Sequence, residues 1–268
     1  MSDPGPPIAE PPDSAASPLT ATVIAPGWAL AYGAGVLLFN VALQAGARSE
    51  AVLGPLRALV LSASVGGSPK ALAVALLSGV VSIGSYALML LPALAMAVTA
   101  RRRGVRFAEA VGLRAFPVGR TAALSALIVI GGLVGTGVYS VIAGALGVTV
   151  RGNTAELVSG FGSGPAEIAI AFVLVGIVAP FVEEITFRGI VFPSLQAAWG
   201  TAPALLVSGG IFGVVHLQPT IAVPLALIGV ALAVVFMRTR SLWSAIIAHC
   251  AFNTVSLVFA FVLASQLR

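Results

Sequence analysis

Charge is what this sequence has least of. Of 268 residues, 14 are lysine or arginine and 9 are aspartate or glutamate, so charged residues make up only 9%. Soluble domains carry about 25%, and a chain this poor in charge has too little polar surface to stay in water. Lysine is nearly absent: Lys70 is the only one, a bias that a GC-rich genome explains without special arginine chemistry. A single cysteine, Cys250, excludes an internal disulfide and a cysteine-rich metal site. No basic stripe with interleaved aromatics occurs, so the net charge of +5 and the pI near 10.3 do not point to nucleic acid.

What fills the chain instead is apolar. Hydrophobic residues make up 59% and the mean hydropathy is +1.07, and apolar stretches near the length that crosses a bilayer recur throughout. The pattern predicts an all-α, polytopic helical membrane bundle of seven spans, near 26–46, 71–99, 121–147, 166–197, 202–218, 221–237 and 242–265. The stretch 51–65, interrupted by Pro55 and Arg57, is an interfacial helix or an eighth, partial span. Residues 1–20, with six prolines and three acidic residues, lack apolar mass to pack and read as a disordered tail without the basic start of a signal peptide. The remainder, 21–268, is the transmembrane domain. Gly131 and Gly135, four apart, have the spacing that allows close helix contact.

Orientation follows from arginine. The loop after the second span carries Arg101, Arg102, Arg103, Arg106, Arg114 and Arg120 against Glu109, and Arg238 and Arg240 precede the last span. In a seven-span reading both loops share one side, the cytoplasmic one by the positive-inside rule, with the amino terminus inside.

Against this background three motifs stand out. A charge within a span costs about 2.5–3.5 kcal/mol even on the lenient insertion scale, yet the fourth span holds Glu183, Glu184 and Arg188 within six positions. Glu184 and Arg188 are four apart in the favourable acid-first order, so they can neutralise each other. Glu183 lies about 100° round the helix, which frees it for a separate cavity. Both histidines of the chain also fall in predicted spans: Phe212 and His216 are four apart in the fifth, and His249 and Asn253 are four apart in the last. A lone histidine in a soluble core is most often a satisfied hydrogen bonder; inside a bilayer an ionisable group usually lines a functional cavity. Heights agree as well. Glu183 precedes Gly200 by 17 residues and His216 follows it by 16, so a hairpin at Gly200 sets them level. His249 lies nine residues past Arg240, about 13 Å in from the cytoplasmic edge. Gln218 and Pro219 put the next turn at membrane depth, where irregular backbone is tolerated only along a cavity.

Together Glu183-Glu184-x-x-x-Arg188, Phe212-x-x-x-His216 and His249-x-x-x-Asn253 resemble the signature of the CPBP intramembrane proteases, which include the type II CAAX prenyl endopeptidases and bacterial Abi-type proteins. The resemblance covers about residues 120–265. It implies a bacterial inner-membrane peptidase acting on a peptide or membrane-anchored protein, from a site towards the cytoplasm. Carried over, it makes Glu183 the general base for water, assisted by His216, with His249 and Asn253 on the scissile carbonyl and Glu184, Arg188 and Phe212 in support. The family is commonly labelled metalloprotease, and Glu183, His216 and His249 would suffice as ligands for a catalytic Zn2+ with an open position. The His-Glu-x-x-His helix of the usual zinc peptidases is missing, and a metal-free glutamate mechanism fits equally well.

Two other classes compete. A non-enzymatic scaffold or immunity protein, or a transporter, would use the same polar cavity, although a transporter predicts inverted repeats that the confinement of polar residues to later spans does not supply. Ser163, between Gly162 and Gly164, could suggest a serine protease but reads as part of a flexible connector.

Overall fold

The computed structural model describes residues 26–48, 79–80, 82–150 and 164–266. The expected tail at 1–20, the stretch 51–65 and Ser163 lie outside them. Every regular element among the described residues is helical. In chain order they are α1 (Pro26–Arg48), α2 (Ser82–Arg102), the single turn α3 (Phe107–Ala110), α4 (Val118–Ala145), α5 (Pro165–Trp199), α6 (Thr201–Val214), α7 (Ala222–Thr239) and α8 (Leu242–Gln266).

Seven spans were expected. Five helices among the described residues, α2, α4, α5, α7 and α8, are long and apolar enough to cross a membrane. The fifth expected span, 202–218, is the shortfall with a clear cause. Helix α6 is apolar but only 14 residues long, about 21 Å at 1.5 Å per residue, and it stops at Val214 rather than continuing to Gln218 and Pro219. The expected hairpin is present: Gly200 adopts φ +81° between α5 and α6, a left-handed conformation that favours glycine.

Outward faces are apolar. On α4, Leu127, Ile130, Val134, Val138 and Val141 are all exposed, the all-round hydrophobicity of a helix in lipid. Polar groups turn inward, as where Thr121 of α4 meets Ser244 of α8 in a buried 2.8 Å hydrogen bond. The two basic loops do share one end. Arg120 donates to the Arg238 carbonyl at 3.0 Å, Ser241 donates to the Arg114 carbonyl at 2.6 Å, and the Leu242 amide reaches the Gly112 carbonyl at 2.8 Å.

Close helix approach occurs, but not where the sequence suggested. Side chains added at Gly131 or Gly135 would meet nothing within 4 Å. The tight crossing is between α6 and α7: a Cβ on Gly209 would fall 2.8 Å from the Ala226 carbonyl oxygen, one on Gly213 would strike the Ala222 carbonyl, and one on Gly229 would lie 3.1 Å from the Gly209 Cα. Gly209 and Gly213 are themselves four apart. Absence of side chains there lets the two backbones touch, the usual device for packing helices without a hydrophobic driving force.

Candidate active site

Helix α5 is not a regular α-helix. Two π-helical segments, Phe172–Val178 and Phe187–Val191, bracket the α-helical stretch Ala179–Thr186 that holds both glutamates. Each is followed within two residues by a proline, Pro180 and Pro193. Proline has no amide hydrogen and crowds the carbonyl four residues back, which favours a widened turn just before it. Wide turns of this kind recur at functional sites because they release backbone carbonyls for other partners. Here the Val175 carbonyl, inside the first wide turn, accepts from Asn253 Nδ2 at 2.9 Å.

The buried centre is Glu184. Its Oε1 accepts from Arg188 Nη1 at 2.7 Å, the pairing that the i, i+4 spacing predicts. The same oxygen lies 2.8 Å from His249 Nδ1. Arg188 spends its second nitrogen on the Gly229 carbonyl, 2.7 Å away on α7, and lays its guanidinium 4.6 Å over the Phe212 ring. Glu184 and Arg188 are essentially sealed, with side-chain exposures of 0% and 2%, so the pair is sustained by these short bonds where an isolated charge would be prohibitive. Glu184 Oε2 is buried with no hydrogen-bond partner among the described residues.

Glu183 approaches the same histidine at its other ring nitrogen. Its Oε2 lies 3.8 Å from His249 Nε2, so one imidazole stands between both glutamates, bonded to Glu184 and approaching Glu183. The Glu183 side chain is 12% exposed, and its Oε2 is buried with no hydrogen-bond partner among the described residues. A buried carboxylate oxygen left open in this way is costly; it is what a site for an added water or substrate group requires.

His216 sits two residues past the end of α6, where its Nδ1 lies 2.6 Å from the Phe212 carbonyl. If the ring donates there, Nε2 is left as its acceptor. The next residue, Leu217, has φ +55°, an unusual and strained conformation for a branched side chain, so the chain holds this turn at a local cost. Phe212 joins the parts: its ring centroid is 4.9 Å from that of His216, 5.8 Å from that of His249 and 5.2 Å from that of Phe187. Asn253 lies one turn beyond His249 with one amide proton committed to Val175.

Among the described residues no three histidine, cysteine, aspartate or glutamate side chains are grouped so as to hold a metal ion. Both histidines have Nδ1 engaged with protein oxygens, which leaves Nε2 of each for another partner.

Beside this cluster, on the outer side of α5 and α8, Ile177, Val178, Phe181, Trp243, Ile246, Ile247 and Cys250 line a wholly apolar cleft of about 550 Å³. Phe181 and Trp243 stand at ring-centroid distance 6.0 Å along it. Phe181 lies two residues before Glu183 and Cys250 directly follows His249, so the cleft is built on the same two helices as the polar pair. The sequence reading missed it. Its only advance sign was apolar residues at helical spacing in two spans that also carried motifs.

Residues 165–255 match the Rce1-like family of type II CAAX prenyl endopeptidases, about a third of the chain. A stretch of 87 residues is 33% identical to the Bacillus subtilis (strain 168) protein named "Putative membrane peptidase YdiL", covering 32% of this chain and 36% of that one. The chain thus spans about a third of the length of this curated relative. No solved structure matches significantly. Across 165–255, which contains Glu183, Glu184, Arg188, Phe212, His216, His249 and Asn253, the chain is similar to the type II CAAX prenyl endopeptidases.

Proposed function

We propose that the protein is an intramembrane endopeptidase that cleaves a membrane-anchored protein or peptide, using water activated by Glu183. The observation that carries this reading is the open Oε2 of Glu183, buried, without a partner among the described residues and 3.8 Å from His249 Nε2. That gap is too long for a direct hydrogen bond and suits a bridging water. In this reading Glu183 removes the proton as the oxygen attacks the scissile carbonyl. His249, oriented by Glu184 at Nδ1, presents Nε2 to the reacting atoms and carries a proton towards the leaving amine. The carboxylate behind it holds the ring in one tautomer and orientation, as the third member of a catalytic triad does. Asn253 keeps its second amide proton for the developing oxyanion, and His216 keeps Nε2 for the water.

The apolar cleft between α5 and α8 supports a substrate whose anchor stays in the hydrocarbon phase while its peptide bond reaches Glu183. The basic loops at the end from which α8 starts support a cytoplasmic-side site in a bacterial inner membrane. No step is routed through a metal. The zinc alternative requires Glu183, His216 and His249 to converge on one ion, and metal analysis of purified protein with cleavage assayed after chelation tests it: stoichiometric zinc and chelator-sensitive cleavage would replace the glutamate-only scheme.

The decisive test compares membrane peptides by mass spectrometry in cells carrying wild type, Glu183→Gln or no copy. A peptide set produced only by wild type is expected. Full rescue of the deletion phenotype by Glu183→Gln would instead favour the non-enzymatic scaffold.

A further inference from the structure

Eight arginines gather where α2 ends, α4 begins and α7 hands over to α8, and the acidic residue among them is Glu109. Hydrogen bonds draw part of this set into one seam. Arg120 of α4 donates to the Arg238 carbonyl in the last turn of α7, and the Ser241 hydroxyl, next to Arg240, donates to the Arg114 carbonyl. The Leu242 amide closes the seam on the Gly112 carbonyl. Arg114, Arg120, Arg238 and Arg240 therefore meet from two distant stretches of chain, and all four are exposed. Among the described residues, the guanidinium groups of Arg114, Arg238 and Arg240 enter no ion pair and no hydrogen bond, while Arg120 spends a donor on the Arg238 carbonyl. Like charges held this close repel one another, a cost that a bound anion would offset.

Two further features select the anion. The seam lies at the ends of apolar helices, with α4 starting at Val118, α7 ending at Thr239 and α8 starting at Leu242. That is the depth at which a bilayer places its headgroups. Exposed apolar side chains also stand beside the arginines: Phe116 and Val118 come between Arg114 and Arg120 in the chain, and Trp243 follows Arg240 by three residues. Free phosphate gains nothing from that surface. A lipid covers it with its acyl chains while its phosphate oxygens meet the guanidinium forks, whose geometry matches them.

We propose that the seam of Arg114, Arg120, Arg238 and Arg240 binds the headgroup of an anionic phospholipid, clamping the start of α4 to the junction of α7 and α8. The proposal is independent of the reaction at Glu183. Arg101 and Arg102, at the end of α2, supply an internal contrast. They are exposed arginines of the same end, and among the described residues no hydrogen bond ties them to the seam.

The test takes the full-length protein in a neutral detergent, stripped of lipid, and follows native mass spectra and thermal melting as phosphatidylglycerol is added. Wild type is expected to retain this lipid and to melt at a temperature that rises with its concentration. Phosphatidylcholine with the same chains, and inorganic phosphate, are expected to do neither at equal concentration. Arg114→Gln combined with Arg238→Gln should weaken retention by about 25-fold, about a factor of five for each arginine near an anionic headgroup. Arg101→Gln combined with Arg102→Gln, matched in charge, should weaken it by less than about fivefold. Without added lipid both double variants should melt with wild type. Equal losses in the two would reduce the effect to the positive field of that end and overturn the seam. Stabilisation by phosphate alone, or by phosphatidylcholine as strongly, would overturn it as well. So would a seam variant that melts well below wild type without lipid, because its guanidinium groups would then be holding the fold.

Discussion

His249 Nδ1 and Arg188 Nη1 share one oxygen of Glu184, at 2.8 and 2.7 Å. A single buried carboxylate thus fixes both the cation that makes its burial tolerable and the imidazole that stands before Glu183. Structure and proposed chemistry meet in that atom, and the two glutamates, adjacent in sequence, differ sharply in what their loss should do.

Glu184→Gln removes the charge while keeping the shape. It leaves Arg188 sealed without its counter-ion and His249 without its charged acceptor. A loss of about 3–5 kcal/mol is expected, the range for breaking one side of a buried pair, together with loss of cleavage. Thermal denaturation in detergent beside a cleavage assay reads both. A melting temperature close to wild type would contradict the arrangement.

Glu183→Gln should separate the two readouts. The open oxygen satisfies no partner among the described residues, so neutralising it relieves an unpaid burial cost and leaves stability unchanged or raised. Cleavage should drop by about 10²–10⁴-fold, the contribution of a positioned base. A destabilisation as large as that of Glu184→Gln would show Glu183 to be a structural carboxylate.

Asn253→Ala should loosen the first wide turn of α5. The Val175 carbonyl would lose its donor, at a cost of about 1–3 kcal/mol for a buried acceptor left open. Hydrogen exchange is the measurement, and faster exchange confined to the amides near 172–178 is the expected result. Uniform protection would mean that the turn is held by α5 alone.

Glycine substitutions should sort by contact and not by spacing. Gly213→Ala meets the Ala222 carbonyl and the Ala226 backbone, with an expected loss of about 1–3 kcal/mol as α6 and α7 are forced apart. Gly131→Ala and Gly135→Ala enter open space and should be neutral or stabilising by up to about 1 kcal/mol. Equal effects at the two sets, measured by thermal melting, would refute the packing at Gly209 and Gly213.

Much of the centre was legible from the cost of charge in lipid. Glu184 and Arg188 had to be paired, and their spacing named the partner. Both histidines had to line a polar interior, because lipid leaves them no other place. Periodicity set Glu183 and Glu184 about 100° apart, and both lie in the regular stretch Ala179–Thr186. What it could not supply was the partner, the His249 imidazole that stands between them. The length of α6 was overcounted because hydropathy continues through Val215 while the backbone does not. Gly131 and Gly135 have the same sequence spacing as Gly209 and Gly213, and only the facing helix distinguishes them.

The two wide turns of α5 have a consequence for the span as a whole. Each holds one residue more than a regular turn, so everything beyond it is rotated relative to a straight helix of the same sequence. The offset at the first of them works as a phase shifter. It lets one helix keep Val173 and Ile177 in lipid and still deliver Glu183, Glu184 and Arg188 to the interior, without tilting the whole rod. A one-residue deletion at Leu174 or at Gly189 would collapse one of these turns into ordinary helix, and the carboxylates on one side of it would rotate out of register with the flanking span.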